Sequence, residues 1–322
     1  VISRLTTAYA ALAMLALSMS SPTMGIAASL CDMAPASYIC SPIDYPSASS
    51  TRPRGIAADR TIAGTADTPG TIAFTYDGLL FSPLPTPPGA SATHGFGIND
   101  GGAVVGYTQG SSGFRGFAWD GSTFSTVHAP GATDTYAYGI NNAGDIAGTY
   151  MAGPAATGYV LSGTAYTPVS VPGARGTYLS GINDSGTGAG TYLSSSGQII
   201  GFTWDGSSFT DYNAPGATQT FVRGINAFGD LVGEYVDAAG NTRGFAQLAG
   251  GAGFWTFSVA SADKTFATGI NQHREVVGYY SDNGFQYGYL AAEPLPVPVP
   301  GSLALLATGL GLLATRRRKA RA

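Results

Sequence analysis

Charge is scarce in this sequence. Asp, Glu, Lys and Arg together make up 11% of its 322 residues, less than half of the roughly 25% common in soluble domains. Lys264 is the one lysine before the last few residues, and the long helices that need Lys and Glu on their exposed faces are therefore not expected. The chain has three histidines, His94, His128 and His273, and two cysteines, Cys31 and Cys40. No His-Glu-x-x-His, no paired Cys-x-x-Cys and no Walker glycine loop occurs, so neither a metal site nor a bound cofactor is expected. Positive charge is scarcer still: between residues 29 and 293 nine Lys and Arg face nineteen acids, a balance of −10, and the nine stand singly. Nucleic acid, gripped mainly through clustered Lys and Arg, is excluded as a partner.

Long apolar runs are missing too, and the two short ones lie at the ends. Arg4 precedes "AALAMLALSM" (10–19), and small residues follow as far as Ala27 and Ala28. This order predicts an export signal over residues 1–28, removed by signal peptidase. A lipid anchor on Cys31 is disfavoured by the bulky Leu30 before it. An exported chain meets oxidising surroundings, which allow Cys31 and Cys40 to pair. At the other end a proline-rich linker (293–300) leads into "SLALLATGLGLLAT" (302–315) and a basic block. The apolar stretch is short of the ~20 residues that span a bilayer in comfort. It reads either as a weak membrane anchor or as a sorting segment (301–322) inserted transiently in the inner membrane, its Arg cluster held on the cytoplasmic side.

What the chain has in abundance is glycine, 47 residues of it, and the glycines are periodic. Gly-Ile recurs at Gly55, Gly97, Gly139, Gly181, Gly224 and Gly269, with spacings of 42, 42, 42, 43 and 45. A threonine stands four residues before each of them (Thr51, Thr93, Thr135, Thr177, Thr220, Thr265), and a second glycine nine residues after. Each repeat holds four β-prone segments, as in "TYAYGI", "DIAGTY", "ATGYVL" and "AYTPVSV" of the third. They are separated by Asn-x-x-Gly, by Trp-Asp-Gly or Tyr-Asp-Gly, and by Pro-Gly-Ala, all turn formers. Four short strands per forty-odd residues predict a propeller blade. The sixth repeat ends after three strands, whereas an orphan strand lies before the first repeat at 38–46. Pairing the two leaves no open sheet edge. The expected fold is all-β: a six-bladed β-propeller over 29–292, its last blade closed by the N-terminal strand.

The segments "GINDGGAVVGY…RGFAW" and "GINAFGDLVGEY…RGFAQ" resemble the HAF family of exported bacterial repeats, which implies an extracellular repeat protein and no reaction. The C-terminal segment resembles the PEP-CTERM signal of Gram-negative bacteria. Its parts fall on Val297, Pro298 and Pro300, on Leu305-Leu306 and Gly309-Leu310, and on Arg316, Arg317 and Arg318. Val299 departs from the Glu usual in that family. The resemblance implies processing by an exosortase and a final place at the cell surface or outside it, often among exopolysaccharides.

Chemistry within the repeats is sparse. Ser111 and Ser112 lie in "GYTQGSSGFRGF", where no strand-to-helix elbow is expected to expose a nucleophile. Glu234 and Glu275 fall in second strands and are the acids a secreted carbohydrate-active enzyme would use. Asp120, Asp205, Asp145 and Asp230 read as turn residues. The residues one and three before each repeat glycine share a face of the first strand. Among them Arg54, Phe96, Tyr136, Tyr138, Tyr178 and Arg223 suit a glycan or protein partner, extracellular polysaccharide above all, and equally suit packing between blades. The sequence therefore points to a noncatalytic scaffold, adhesion or glycan-binding protein, with the enzyme as the alternative.

Overall fold

The computed structural model describes residues 38–251, 253–259 and 262–293. The expected export signal, Cys31 and the sorting segment lie outside the described residues. The chain divides into two units, Val1–Ala292 and Glu293–Ala322, and of the second only Glu293 is described.

The described residues of the first unit are all β apart from one short 3-10 turn at Ala249–Gly251. Strand β1 (Ile39–Ile43) comes first. The first repeat supplies β2 (Ser50–Ile56), β3 (Ile62–Asp67), β4 (Thr71–Tyr76) and β5 (Phe81–Pro83). The second gives β6 (Ala90–Ile98), β7 (Val104–Gly110), β8 (Gly113–Trp119) and β9 (Phe124–Val127), and the third β10 (Asp134–Ile140), β11 (Ile146–Met151), β12 (Ala156–Ser162) and β13 (Ala165–Val169). Next come β14 (Gly176–Ile182), β15 (Gly188–Leu193), β16 (Ile199–Trp204) and β17 (Phe209–Tyr212), then β18 (Ala217–Ile225), β19 (Leu231–Asp237), β20 (Thr242–Leu248) and β21 (Gly253–Phe257). The last repeat has β22 (Lys264–Ile270), β23 (Val276–Asp282) and β24 (Phe285–Ala292).

Among the described residues these strands form six antiparallel groups of four, five of them meanders of consecutive strands. The sixth group is completed by β1, which pairs antiparallel with β24 from Ile39 opposite Ala292 to Ile43 opposite Gly288. Single parallel bridges, Thr242 with Lys264 and Ser50 with Gln286, tie the fifth group to the sixth and the sixth to the first. The arrangement is propeller-like.

The repeat glycines show that the groups close on themselves. A Cβ on Gly139 would lie 2.9 Å from the Cα of Gly181, a distance at which only glycine lets the backbones approach. The same contact runs from Gly55 to Gly97, from Gly97 to Gly139, from Gly181 to Gly224, from Gly224 to Gly269 and back from Gly269 to Gly55. Six first strands thus meet in a closed ring.

The core lies between neighbouring sheets rather than in one central mass. Val105 and Val127 of the second sheet pack with Ala137, Ile146 and Tyr159 of the third, and the seam between sixth and first holds Ile43, Val277, Ile56 and Ile62. Five of the six fully buried aromatic side chains among the described residues that fill the core are third-strand rings, Phe74, Tyr159, Phe202, Phe245 and Tyr289, each opposite the second glycine of its repeat. That glycine leaves room for the ring: a Cβ on Gly64 would meet Phe74 at 2.7 Å.

The turns join sheet to sheet as well as strand to strand. Asn99, Asn141, Asn183, Asn226 and Asn271 each accept the N–H four residues on, which locks the turn. Each also donates from Nδ2 to the carbonyl at the same position of the next repeat, and Asn271 closes the series onto Ala57. The repeat threonine has a fixed task too. Its Oγ1 accepts the N–H of the residue six before it, at Thr51, Thr135, Thr177, Thr220 and Thr265.

Two joints, sixth sheet to first and fifth to sixth, carry extra fastening. Where other repeats place a turn glycine, the first and sixth place Arg60 and Arg274 in the left-handed region, at φ 74° and 63°. That conformation costs about 1–2 kcal/mol for a residue with a Cβ. In return Arg60 pairs with Glu275, and Arg274 with Asp230, charge-assisted contacts that offset a cost of this size. Burial opposes the Asp230 charge, but Arg274, the Ala249 N–H and Asn226 outweigh it and hold the carboxyl below its ordinary value.

Candidate functional site

The residue before each repeat glycine occupies an irregular place in its strand. In β10 the pairing with β11 skips from Ala137 to Gly139, so Tyr138 is an extra residue opposite no partner. The same register shift falls at Arg54, Ser180, Arg223 and Thr268, and in β6 it takes in Phe96 with Gly97. A bulge of this kind re-aims a side chain away from the regular alternation. All six re-aimed residues line one cavity of about 530 Å³, within the roughly 300–1,000 Å³ of small-molecule sites. A narrow space of about 70 Å³ continues from it between the Gly-Ile pairs of the ring.

The cavity is lopsided for a reason legible in its side chains. On the side of the second and third sheets the rings are packed together. His94 stacks on Tyr107 at 4.5 Å, Phe96 meets Tyr138 edge-on at 5.0 Å, and Tyr136 touches Tyr107, Phe114 and Tyr138. On the side of the fourth sheet the bulge residue is the small Ser180. The space it leaves is walled by Tyr178, Thr191, Tyr192, Leu193 and Ile199, with Phe221 of the fifth sheet and Tyr279 of the sixth. Tyr178 is 44% exposed.

Of the residues singled out from the sequence, Arg54, Phe96, Tyr138, Tyr178 and Arg223 line this cavity together. Tyr136 does not; its ring packs on Tyr107, Phe114 and Tyr138 behind the lining. Burial pushes its phenol up to about 12 and holds that of Tyr138 well above the ordinary value. The second-strand contributors Thr191, Tyr192, Leu193 and Tyr279 were not signalled by the repeat glycine. Their only trace in the sequence is cross-strand register, Thr191 opposite Tyr178 and Tyr279 opposite Phe266.

Two guanidinium groups reach the cavity and differ in their partners. Arg223 bonds both carboxylate oxygens of Glu234 through Nε at 3.0 Å, and Nη2 adds a further contact. Its side chain is 41% exposed, whereas that of Glu234 is 4% exposed. Burial works against the Arg223 charge, and Glu234 more than restores it. Arg54 lies with its guanidinium carbon 4.9 Å from the ring centroids of both Phe96 and Tyr279. Its Nε is buried without a hydrogen-bond partner. No ion pair among the described residues includes Arg54.

The two glutamates considered for acid–base work do not share a site. Glu234 is held by Arg223 at the cavity wall. Glu275 receives Arg60 on one oxygen and Asn271 Nδ2 on the other, at the turn end of its sheet. Asp120 and Asp205 each accept two backbone N–H groups of their hairpin turns, bonds that lower their carboxyl pKa. Of the histidines, His128 contacts Thr135 Oγ1 and His273 sits in a turn. His94 is brought down to about 4 by burial, with Arg52 adding to the effect. No group of three His, Cys, Asp or Glu among the described residues is placed to hold a metal ion. Cys40 is disulfide-bonded, and its expected partner Cys31 lies outside the described residues. No helix among the described residues is long and apolar enough to cross a membrane.

No family model and no curated protein matches the chain. Solved structures similar to it include a streptogramin B lyase, 12% identical with a TM-score of 0.44 over 79% of this chain and 97% of that one. The SapL1 lectin in complex with α-methyl fucoside is 13% identical, TM-score 0.47, over 79% and 99%. A putative TolB from Agrobacterium tumefaciens is 14% identical, TM-score 0.49, over 76% and 91%.

Proposed function

We propose that this chain is an exported six-bladed propeller that binds a sugar in the cavity at the head of its glycine ring and does not transform it. The carrying observation is the lining itself. The aromatic side chains Phe96, Tyr138, Tyr178, Phe221 and Tyr279 line the cavity together with Ser180, Thr191, Thr268 and the two arginines. Sugar rings present apolar C–H faces that pack on aromatic rings, and hydroxyls that pair with polar groups between them. A noncatalytic role is favoured over a carbohydrate-active enzyme because Glu234 and Glu275 are committed to separate Arg partners. Glycoside hydrolysis needs two carboxyl groups facing one bond, roughly 5–9.5 Å apart.

The test is a polysaccharide array reading both retention and product release, with Tyr178→Ala as the variant. Tyr178 is exposed, so its loss should weaken retention about tenfold, as removal of a stacking ring does, with the melting temperature unchanged. Product release that disappears on changing Glu234 or Glu275 to Gln would establish the enzyme instead.

Export and exosortase sorting complete the proposal and rest on the sequence of the two ends. Neutral replacements at Arg316, Arg317 and Arg318 should abolish processing in the native host. A mature form found by mass spectrometry to retain Ala322 would remove the sorting part of the proposal.

A further inference from the structure

The cavity holds one positive charge without an answer. Arg223 is neutralised by Glu234 across three contacts. Nearby, Arg52 is paired with Asp67 at 2.8 Å, and burial keeps His94 uncharged at neutral pH. Arg54 alone has only the faces of Phe96 and Tyr279, which leave the in-plane edge of the guanidinium unsatisfied. On that edge Nε is shielded from solvent with no acceptor. A desolvated donor on a cation is among the costlier groups to leave unpaired. Phe96 and Tyr279 each hold the guanidinium carbon at 4.9 Å from their ring centroids, and the Nη groups, rather than the shielded Nε, are the donors that a ligand in the cavity meets.

An Arg edge presents parallel N–H groups at a spacing that matches the two oxygens of a carboxylate. We propose that Arg54 is a carboxylate-recognising residue and that the ligand is an acidic, uronate-type sugar. This deepens the sugar-binding reading above and rests on it. The surrounding body, with its excess of acids, repels polyanions at long range. At physiological salt that field is screened beyond about 8 Å, so the contact at Arg54 decides. The combination selects a sugar acid seated in the cavity over polyanions in general.

The experiment is calorimetric titration of the full chain with trigalacturonate, its trimethyl ester and the neutral galactotriose. The acid should bind at least about tenfold more tightly than the ester, which has the same shape without the charge. Arg54→Gln should lower affinity for the acid by about tenfold or more and leave the ester within about twofold. Arg54→Lys, which keeps the charge and loses the fork, should fall between. Glu234→Gln frees Arg223 and should strengthen acid binding, a gain that misfolding cannot imitate. Equal binding of acid and ester overturns the carboxylate assignment and leaves sugar binding standing. So does an Arg54→Gln variant that weakens both alike, or tighter binding of a sulfated galactotriose than of the acid. Failure of all three sugars to bind overturns the sugar-binding reading itself.

Discussion

The threonine four residues before each repeat glycine supports a test with opposite signs at two equivalent positions. Thr220 Oγ1 accepts the Ala214 N–H at 3.0 Å, and Thr51, Thr135, Thr177 and Thr265 do the same for the residue six before each. Thr93 is as deeply buried, at 0% exposure, yet its hydroxyl has no partner. The residue six before it is Pro87, which has no N–H to give. Thr220→Val should therefore cost about 1–3 kcal/mol, since the buried Ala214 N–H loses its acceptor. Thr93→Val removes an orphan hydroxyl at nearly constant shape and should be neutral or stabilising. Pro87→Ala restores the donor at a place where Ala129 and Ala214 stand in other repeats. The hydrogen bond itself contributes about 0.5–1.5 kcal/mol, to which relief of the unsatisfied buried hydroxyl adds up to about 1 kcal/mol, and the lost proline rigidity takes back about 0.4–1. The net gain of about 1 kcal/mol corresponds to a rise of roughly 2–4 °C in melting temperature for a domain of this size. Urea midpoints and thermal melts of the three variants give the answer. Thr93→Val destabilising as much as Thr220→Val would mean that the Thr93 hydroxyl does have a partner, and the reasoning would fail.

Two further outcomes are expected. His94 titrates at about 4 when folded and at about 6.5 when unfolded, so between these values the unfolded chain binds the extra proton. Stability should fall as pH drops through that window, by up to ~1.4 kcal/mol per pH unit from this group. His94→Phe, matching Phe221 and Phe266 in other repeats, should flatten the dependence measured by urea midpoints; an unchanged slope refutes it. Removing residues 31–44 strips β1 from the edge of β24 and should lower the melting temperature and promote association, because an unpaired edge is a template. A truncated chain that melts as before and stays monomeric in light scattering would count against closure by β1.

The sequence carried the parts of this architecture that repeat along the chain. Turn residues and the Thr-x-x-x-Gly-Ile spacing mark every first strand. The orphan segment at 38–46 is found as β1 at Ile39–Ile43, because a missing fourth strand and an unmatched segment can be counted. What repeats around the ring was harder to see. Asn141 reads as a turn former, and its Nδ2 bond to the Asn183 carbonyl links residues whose proximity only the closed ring creates. Regular alternation puts Tyr136 and Tyr138 on one face together. The two rings do stack, 6.0 Å apart, yet Tyr138 alone lines the cavity, and nothing in "TYAYGI" announces the unpaired residue that the bulge makes of it. The pairing of Glu234 with Arg223 follows from the same local register, Phe221 opposite Glu234. It turns a candidate acid into a counter-ion.

The cation proposed to hold the ligand stands where the chain has to close on itself. Arg54 belongs to the first sheet, and Tyr279, one of its two clamping rings, belongs to the sixth. Between those sheets Thr268 Oγ1 donates to the Pro53 carbonyl at 2.8 Å, Asn271 Nδ2 donates to the Ala57 carbonyl, and Arg60 pairs with Glu275. Each such contact is worth about 0.5–3 kcal/mol, so the seam is held by a handful of modest terms together with the apolar layer around Ile43 and Ile56. An opened ring would part Arg54 from Tyr279 and dissolve the clamp. A ligand seated on Arg54 and reaching Phe221 across the cavity therefore binds the closed ring and not the open one. It stabilises closure by RT ln(1 + [L]/Kd), about 2.7 kcal/mol at a hundredfold excess over Kd, which is comparable to the strongest single contact of the seam. On the proposed reading, occupancy of the cavity and integrity of the ring are one equilibrium, and the left-handed Arg60 stands at the turn that its pairing with Glu275 fastens across the seam.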